Sequence, residues 1–487
     1  MEIVKGATYA CRAIRIGPKE VDLFARLVID EEGFTTLEIS DVERKCYEEL
    51  KKLPNVNIVV ACDGQHITIV ESQMAGCSYR MSCDINTQLV AMKYVSSILL
   101  LDYFAEPSKE IRFSAFSCEI TEITELLGVY PYQIEHDDMD FSKVEYDIKG
   151  ETVSRKVGHG FSYFVSPLVT HETDGMHVTM YGKIQYSGGK QRNFREIYEV
   201  LNGICLFFEI LSGEMITIGN LWFEQEERSV KALGMYNFSK DKLNGLQSKF
   251  DSRCFLRRSI FKISDFADGI GKAIADFYKI QEECTLACEA YKQILLDEEI
   301  KISTYNKFLK IMQVVEGFQR GKISEKEETE FNRRKNEIIG ELSEDERAFI
   351  EKYTTFNGQS FRKCMNDFTT KSIKILSGLS KTKAREASDK IINDAINDRD
   401  VYTHASKEKK PILTIDKLQA VTYCYKIFFR VQVLGRMGLS EKLIRKRLSY
   451  DRKFVSYYES VFGLQVMKED SYSDAEEFDN QLARFYG

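Results

Sequence analysis

The pattern of hydrophobic and polar residues changes its period near the middle of the chain. Up to about residue 245, short apolar runs are separated by glycine-containing turns, which indicates β-strands. The clearest unit is Ile58–Cys62, then Asp63-Gly64, then His66–Val70. Asp-Gly readily forms the two-residue turn that joins antiparallel strands, so this segment predicts a β-hairpin.

Three further turn signals and one helix complete the prediction for this half. We expect hairpin turns at Glu32-Gly33, Ser187-Gly188-Gly189 and Ser212-Gly213. One amphipathic helix is predicted near Phe194–Leu206.

Beyond about residue 255, apolar residues recur every three or four positions, which is the period of a helix face. Two such stripes are Phe308, Ile311, Met312, Val315 and Phe318, and Ile415, Leu418, Val421, Tyr425 and Phe428. Ser324 with Glu327 and Ser343 with Glu346 have the spacing of helix capping boxes. Gly438 is expected to end one helix before a short helix over Ser440–Leu448.

The fold class that follows is α+β multidomain. We predict a β-rich N-terminal domain over residues 1–250 and an all-α helical bundle over residues 251–487, with a charged hairpin projecting at 320–350. A chain of 487 residues is long enough for more than one hydrophobic core.

The charge is distributed unevenly between these halves. Residues 1–250 carry 26 basic against 37 acidic side chains, a net −11, whereas residues 251–487 carry 42 against 38, a net +4. The segment 355–453 alone has 22 basic and 10 acidic residues, a net +12. A basic region in an acidic protein is what a polyanion-binding surface requires, although a solvated helix face gives the same count.

The cysteines and apolar runs exclude several classes of protein. Twelve cysteines are present without a Cys-x-x-Cys pair, and most lie in apolar runs, so we expect free buried thiols rather than disulfides or zinc. The longest apolar stretch, 89–104, is too short and too polar to span a bilayer, and the N-terminus has no signal-peptide pattern. We expect a cytoplasmic protein that needs no metal or cofactor.

The candidate chemistry lies in the segment Arg399-Asp400-Val401-Tyr402-Thr403-His404. His404 is the one histidine after His177, and histidine is the side chain that exchanges protons near neutral pH. Arg399 is a permanent cation whose planar fork suits phosphate oxygens. Together they are sufficient for cutting a phosphodiester without a metal ion.

The spacing of the pair is awkward for a straight helix. A five-residue step turns about 500°, which leaves the two side chains about 140° apart. Either the helix ends here or a second chain completes the site. The β-branched Val401 and Thr403, followed by lysines and Pro411, favour a helix end. On spacing alone, a coincidental Arg–His pair is the simpler interpretation.

The segment Arg399–His404 resembles the signature of HEPN (higher eukaryotes and prokaryotes nucleotide-binding) ribonucleases. That signature is an arginine followed by a polar residue, with a histidine five to seven positions after the arginine. Phe308–Arg320 is similar to the first long helix of the HEPN domain in ApeA-like proteins, and Phe428–Leu448, which contains Leu434-Gly435-Arg436-Met437-Gly438-Leu439-Ser440, is similar to its final helices. Those relatives often have a histidine where this chain has Gln319. This departure puts the role of a second histidine in question, but it leaves the Arg399–His404 motif intact.

The N-terminal half resembles the β-rich ApeA N-terminal domain more diffusely, over Val56–Val70 and Ile111–Gly128. The resemblance implies an anti-phage protein that acts by abortive infection, with the HEPN domain as its toxic effector and tRNA among its potential targets. The N-terminal domain would then sense a trigger of phage origin, restrain the nuclease, or do both.

The resemblance also implies roles for individual residues. His404 would act as acid or base and Arg399 would stabilise the phosphate, giving a 2′,3′-cyclic phosphate and a 5′-hydroxyl. One histidine cannot easily serve as both acid and base, which gives a reason for the paired sites of HEPN dimers. Supporting roles are expected for Asp400, Asn397 and Asp398, which either orient Arg399 or His404 or form a polar cap at the helix end, and for Tyr402. Glu316, at the edge of the apolar stripe of its helix, either pairs with Arg399 or is a simple rim carboxylate. RNA-backbone contacts are expected for Lys407, Lys409 and Lys410.

Two other functions remain open from the sequence. One is a non-catalytic HEPN-like scaffold that binds nucleic acid or a partner protein, although such a scaffold need not keep both Arg399 and His404. The other is an antitoxin-like partner of a nucleotidyltransferase.

Overall fold

The computed structural model divides the chain into two compact units. One contains residues 1–202 and 216–255, and the other contains 203–215 and 256–487. The described residues are 3–4, 6–30, 34–53, 55–81, 88–96, 98–106, 110–120, 132–134, 144–146, 153–158, 160–172, 175–216, 218–225, 228–234, 261–262, 265–266, 268–299, 302–321, 325–340, 342–344, 346–347, 360–404 and 410–467.

The first unit is built from β-strands, as the short apolar runs between glycine-containing turns predict. Its strands are β1 Ala7–Ile16, β2 Lys19–Ile29, β3 Thr35–Glu43, β4 Val56–Cys62, β5 Gln65–Met81, β6 Gln88–Ser96, β7 Ile98–Leu101, β8 Arg112–Ile120, β9 Tyr132–Ile134, β10 Val144–Tyr146, β11 Val153–Gly158, β12 Phe161–Glu172, β13 Gly175–Asn193, β14 Ile218–Gln225 and β15 Arg228–Gly234. A short helix, α1 (Arg44–Leu50), lies between β3 and β4.

Six of these strands close into a barrel. They are joined in the order β5-β4-β1-β2-β3-β6, and β6 pairs back onto the second half of the long strand β5. The sheet then continues from β5 through β7, β15, β14, β8, β13 and β12 to β11. The barrel is filled by side chains with almost no solvent exposure, such as Leu27, Ile39, Ile58, Ile67 and Val90. Closure removes the unpaired edges that an open sheet would expose.

The predicted hairpin at Asp63-Gly64 is confirmed. Cys62 pairs with Gln65, and both turn residues have positive φ, 47° at Asp63 and 79° at Gly64, as a two-residue turn of this kind requires. Strands β2 and β3 also pair, but the predicted turn residues Glu32-Gly33 lie outside the described residues.

Two predicted hairpin turns are wrong. Ser187-Gly188-Gly189 lies inside the continuous strand β13, where the register with β8 shifts, so these residues form an irregularity within one strand. Ser212 is the last residue of helix α2 (Phe194–Ser212), and Gly213 follows with a φ of 80°. A glycine with positive φ ends helices as readily as it turns strands, so the sequence signal is shared. The predicted helix over Phe194–Leu206 is confirmed and extends to Ser212.

The second unit is helical. Besides the last part of α2, its helices are α3 Ile270–Glu283, α4 Thr285–Glu299, α5 Thr304–Arg320, α6 Glu325–Gly340, α7 Phe361–Ser377, α8 Lys381–His404, α9 Ile415–Arg436, α10 Glu441–Ser449 and α11 Arg452–Phe462. Helix α9 is buried around most of its circumference and packs against α5, α7 and α11. Helix α7 in turn packs against α5 and α8, and α8 packs against α5.

The predicted apolar stripes contribute to the core of this unit, except that Ile415, at the start of the second stripe, is 57% exposed. Phe308, Ile311, Met312, Val315 and Phe318 are all buried on α5. The helix boundaries also follow the sequence signals. Gly438 has a φ of 97° between α9 and α10, and the Ser440 side chain accepts the Leu443 N–H to begin α10.

Of the two predicted capping boxes, one is observed. The Glu346 carboxylate accepts hydrogen bonds from the Ser343 backbone and hydroxyl. Ser324 lies outside the described residues. Within the charged segment 320–350, the structure contains helix α6, Glu325–Gly340.

Candidate functional site

The site is centred on Arg399, near the C-terminal end of α8. Its guanidinium lies 3.4 Å from the Asp400 carboxylate and 3.7 Å from the Glu316 carboxylate of α5. The Phe361 ring, at the start of α7, lies under the guanidinium at 4.7 Å from the ring centroid. Three helices therefore fix the orientation of this cation, while 28% of its side chain remains exposed to solvent.

Glu316 occupies this position because of its place on α5. It lies at the rim of the apolar stripe that packs into the core, and its side chain is only 18% exposed. It also forms an ion pair at 2.8 Å with Arg320, one helical turn further on. The carboxylate is therefore shared between two arginines, and the shorter contact is to Arg320.

Asp398 has a different structural role from Asp400. It is fully buried, and its two carboxylate oxygens accept the backbone N–H groups of Ile412 and Leu413 at 2.7 and 3.0 Å. Asn397 donates to the same carboxylate at 3.2 Å and to the Lys410 carbonyl at 3.0 Å. Both side chains thus tie the end of α8 to the segment that leads into α9.

Tyr402 faces α5. Its ring lies 4.8 Å from the ring of Tyr305 and 6.3 Å from that of Phe308. Burial, together with the nearby Asp398 carboxylate and Tyr305, raises the pKa of the Tyr402 phenol, so the group stays protonated at neutral pH.

His404 is the last described residue of α8, and residues 405–409 lie outside the described residues, so a helix end at the motif stays a prediction. Arg399 and His404 lie in one continuous helix, and Val401 and Thr403 do not interrupt it. Lys407 and Lys409 lie outside the described residues, and Lys410 is exposed where the described chain resumes.

The structure therefore brings Arg399, Asp400 and Glu316 together in one cluster and places Asn397, Asp398 and Lys410 in another. The sequence did not indicate Phe361 or Tyr305, because each comes from a distant segment without a local motif. Arg320 carried a signal, its spacing of four from Glu316 on a predicted helix. Gln319, next to it, is buried.

Two further findings concern metals and membranes. Among the described residues, no three His, Cys, Asp or Glu side chains lie close enough together to hold a metal ion. None of the described helices combines the length and the apolar character that crossing a membrane demands.

Comparison with known families covers both units. The ApeA N-terminal domain 1 family matches residues 16–276, more than half of the chain, and the Apea-like HEPN family matches residues 309–443. The second match contains α6, α7, α8, α9 and residues 309–320 of α5, and thus the whole Arg399–His404 segment. No curated protein and no solved structure matches the chain. The chain belongs to the ApeA-like HEPN anti-phage proteins, a family whose helical domain is of the nuclease type.

Proposed function

We propose that the protein is a metal-independent endoribonuclease that acts in the cytoplasm and defends against phage by abortive infection, with tRNA as a candidate target. The observation that carries this proposal is the environment of Arg399. A partly exposed guanidinium is oriented by Glu316, Asp400 and Phe361, five residues before the one histidine of residues 178–487. A fixed cation and a proton-exchanging group are the minimum that phosphodiester cleavage needs.

The reaction uses the nucleophile of the RNA itself. The 2′-hydroxyl attacks the neighbouring phosphorus, the bond from phosphorus to the 5′-oxygen breaks, and a 2′,3′-cyclic phosphate forms. His404 removes the proton from the 2′-hydroxyl or supplies one to the departing 5′-oxygen. Arg399 binds the phosphate oxygens while negative charge builds up on them.

A second copy of the chain supplies the second proton-transfer group in this proposal. Attack and departure require a base and an acid, and the helical half contains one histidine. Two His404 side chains, one from each protomer of a homodimer or larger homo-oligomer, satisfy that requirement. Arg399 and His404 lie about 140° apart on one continuous helix, which supports a site that a second chain completes.

The test is cleavage of tRNA and of a single-stranded RNA by the full chain in the presence of EDTA. We expect fragments with 2′,3′-cyclic phosphate and 5′-hydroxyl ends, and loss of cleavage in Arg399→Ala and in His404→Ala. Arg385→Ala is the matched control, because Arg385 is an exposed arginine on the same helix. Unchanged cleavage in both site variants would show that the activity lies elsewhere.

A non-catalytic scaffold is the second candidate, and one observation favours it. Two carboxylates lie within 4 Å of Arg399 and offset its charge, as they would for a purely structural arginine. On this alternative the chain binds RNA without cutting it, and Arg399→Ala lowers the thermal stability of the protein rather than any reaction rate. Cleavage that depends on His404 excludes the scaffold.

For the N-terminal region, residues 1–250, we propose a regulatory role: it restrains the nuclease until it responds to a trigger of phage origin. This region has a net charge of −11 and residues 355–453 have a net charge of +12, and opposite charges suit a region that restrains an RNA-binding surface. Cellular RNA sequenced before and after infection tests this proposal. Fragments that appear only after infection support it, and equal cleavage in uninfected cells contradicts it.

A further inference from the structure

An exposed tyrosine stands next to the motif helix. Tyr305 lies in the first turn of α5. The Ser303 side chain caps this helix by accepting a hydrogen bond from the Asn306 N–H. The Tyr305 side chain is 38% exposed, while Phe308, one turn further along the same helix, is fully buried. The two rings therefore differ in function: Phe308 fills the core, and Tyr305 presents aromatic surface to solvent.

Tyr305 and Tyr402 form a pair of rings. Their centroids are 4.8 Å apart and their planes meet at 57°, so one ring supports the other in a tilted contact. The buried Phe308 ring lies edge-on behind Tyr402. The pair is thus anchored to the core on one side, and Tyr305 remains accessible on the other.

The pair lies on the same two helices as Arg399 and Glu316. Tyr402 follows Arg399 by three residues on α8, which places both on the same face about one turn apart. Both also face α5, Arg399 through Glu316 and Tyr402 through Tyr305. One helix pair therefore carries a cation suited to a phosphate and an aromatic surface, and the two points where they meet α5, Glu316 and Tyr305, are about 16 Å apart along that helix.

We propose that Tyr305, supported by Tyr402, is a stacking platform for a nucleobase of a single-stranded RNA whose backbone also contacts Arg399 a few nucleotides away. This inference rests on the proposed function and adds a binding site to it. Every nucleotide of a single strand presents a phosphate and a base, so one strand can contact a cation and an aromatic ring at separate points of one surface, the combination by which proteins bind single strands. A paired base has its faces covered by its neighbours, so the platform selects unpaired RNA.

The test uses the full chain and a short single-stranded oligonucleotide of 2′-O-methyl RNA that contains one 2-aminopurine. The methylated strand lacks the attacking hydroxyl, so binding is measured whether or not the protein cuts RNA. Stacking quenches 2-aminopurine fluorescence. We expect Tyr305→Ala to lose the quench and to weaken binding about five-fold or more, the size of one base–aromatic stack.

Two variants separate stacking from loss of structure. Tyr305→Phe keeps the aromatic face and should retain both the quench and the affinity. Tyr305→Leu keeps apolar bulk and should fold like the parent, yet bind as weakly as Tyr305→Ala. Leu286→Ala on α4, where the side chain is 76% exposed, is the control for removing exposed apolar surface and should change nothing.

Several outcomes overturn the proposal. Equal quench and affinity in Tyr305→Ala would do so even if unmodified RNA is cleaved normally, and so would failure of the parent chain to bind the oligonucleotide. A change in oligomeric state with unchanged affinity per protomer would assign Tyr305 to an interface between copies instead. Loss of the quench in Tyr305→Ala supports the platform even if the chain turns out not to cleave RNA.

Discussion

Arg399 and Glu316 form an ion pair between α8 and α5 that is too long for a strong hydrogen bond, at 3.7 Å. The same carboxylate binds Arg320 at 2.8 Å. Glu316 is therefore held in place by Arg320, while Arg399 retains its capacity for a stronger partner. A phosphate is such a partner, because it accepts two parallel hydrogen bonds from a guanidinium.

Replacing Glu316 with glutamine tests this arrangement. The amide keeps the shape of the side chain and removes its negative charge, so the full positive charge of Arg399 becomes available to RNA. We expect Glu316→Gln to bind single-stranded RNA several-fold more tightly, by about 1 kcal/mol, with a steeper dependence on salt. The measurement is the affinity at two or more salt concentrations, in the His404→Ala background.

Glu289→Gln is the matched control for this prediction. Glu289 is an exposed carboxylate on α4, so its replacement changes the net charge equally but leaves Arg399 untouched. Equal tightening by the two variants would mean that only the overall charge matters. Weaker binding by Glu316→Gln would mean that Glu316 positions Arg399 rather than competing with RNA for it.

Asp398 is expected to be critical for stability. In Asp398→Ala, the N–H groups of Ile412 and Leu413 lose their acceptor, and Leu413 is buried while Ile412 is exposed to solvent. We expect the free energy of unfolding to fall by about 1–3 kcal/mol, the cost of one unpaired buried N–H, because water can reach the other. Denaturant unfolding measures the loss.

The control for Asp398 is Asp389→Ala, an exposed aspartate on the same helix. It should change stability by less than about 0.5 kcal/mol. A small effect of Asp398→Ala, similar to that of Asp389→Ala, would mean that water replaces the lost acceptor and that the tie between α8 and the start of α9 is weak.

The sequence was most informative where one local pattern has one structural outcome. The stripe from Phe308 to Phe318 could only be a helix face, and Asp63-Gly64 between two apolar runs could only be a tight turn. Ser212-Gly213 was misassigned because positive φ at glycine serves a helix end as well as a hairpin. The closure of six strands into a barrel has no local signal, because it depends on pairing between β5 and β6.

In the site too, residues in a local sequence pattern were predicted, and residues that arrive through long-range packing were not. Arg399 and His404 are five residues apart and form a local motif, and the sequence indicates Glu316 by its place at the rim of an apolar stripe. Phe361 and Tyr305 come from 38 and 94 residues before Arg399 and reach the site only through the packing of α7 and α5. No pattern near either residue distinguishes it from other half-buried aromatic side chains.

The described cysteines are expected to differ sharply in reactivity. Burial raises the pKa of Cys11, Cys118 and Cys288 to about 12, so these thiols stay protonated and inaccessible near pH 8. Cys77 is exposed and should be alkylated first. Site-resolved mass spectrometry after a short exposure to iodoacetamide measures this order. Equal labelling of Cys288 and Cys77 in the folded protein would contradict the packing of α4.

Gly213 is expected to tolerate no side chain. It follows α2 with a φ of 80°, and a Cβ at this position would lie 2.5 Å from Nη1 of Arg430. Arg430 is buried and donates to the Ile210 and Leu211 carbonyls at 2.8 and 2.7 Å, where α2 ends. Gly213→Ala must displace this guanidinium, so we expect it to lower the free energy of unfolding by about 3–5 kcal/mol.

Gly463→Ala separates the two causes of that loss. Gly463 also ends a helix with positive φ, 65°, but a Cβ there meets nothing within 4 Å. Its replacement should cost about 1–2 kcal/mol, the penalty for an L-residue in this backbone conformation. The difference between the two variants, measured by denaturant unfolding, isolates the contribution of Arg430. Equal losses would mean that Arg430 moves aside freely and that its hydrogen bonds to the end of α2 contribute little to stability.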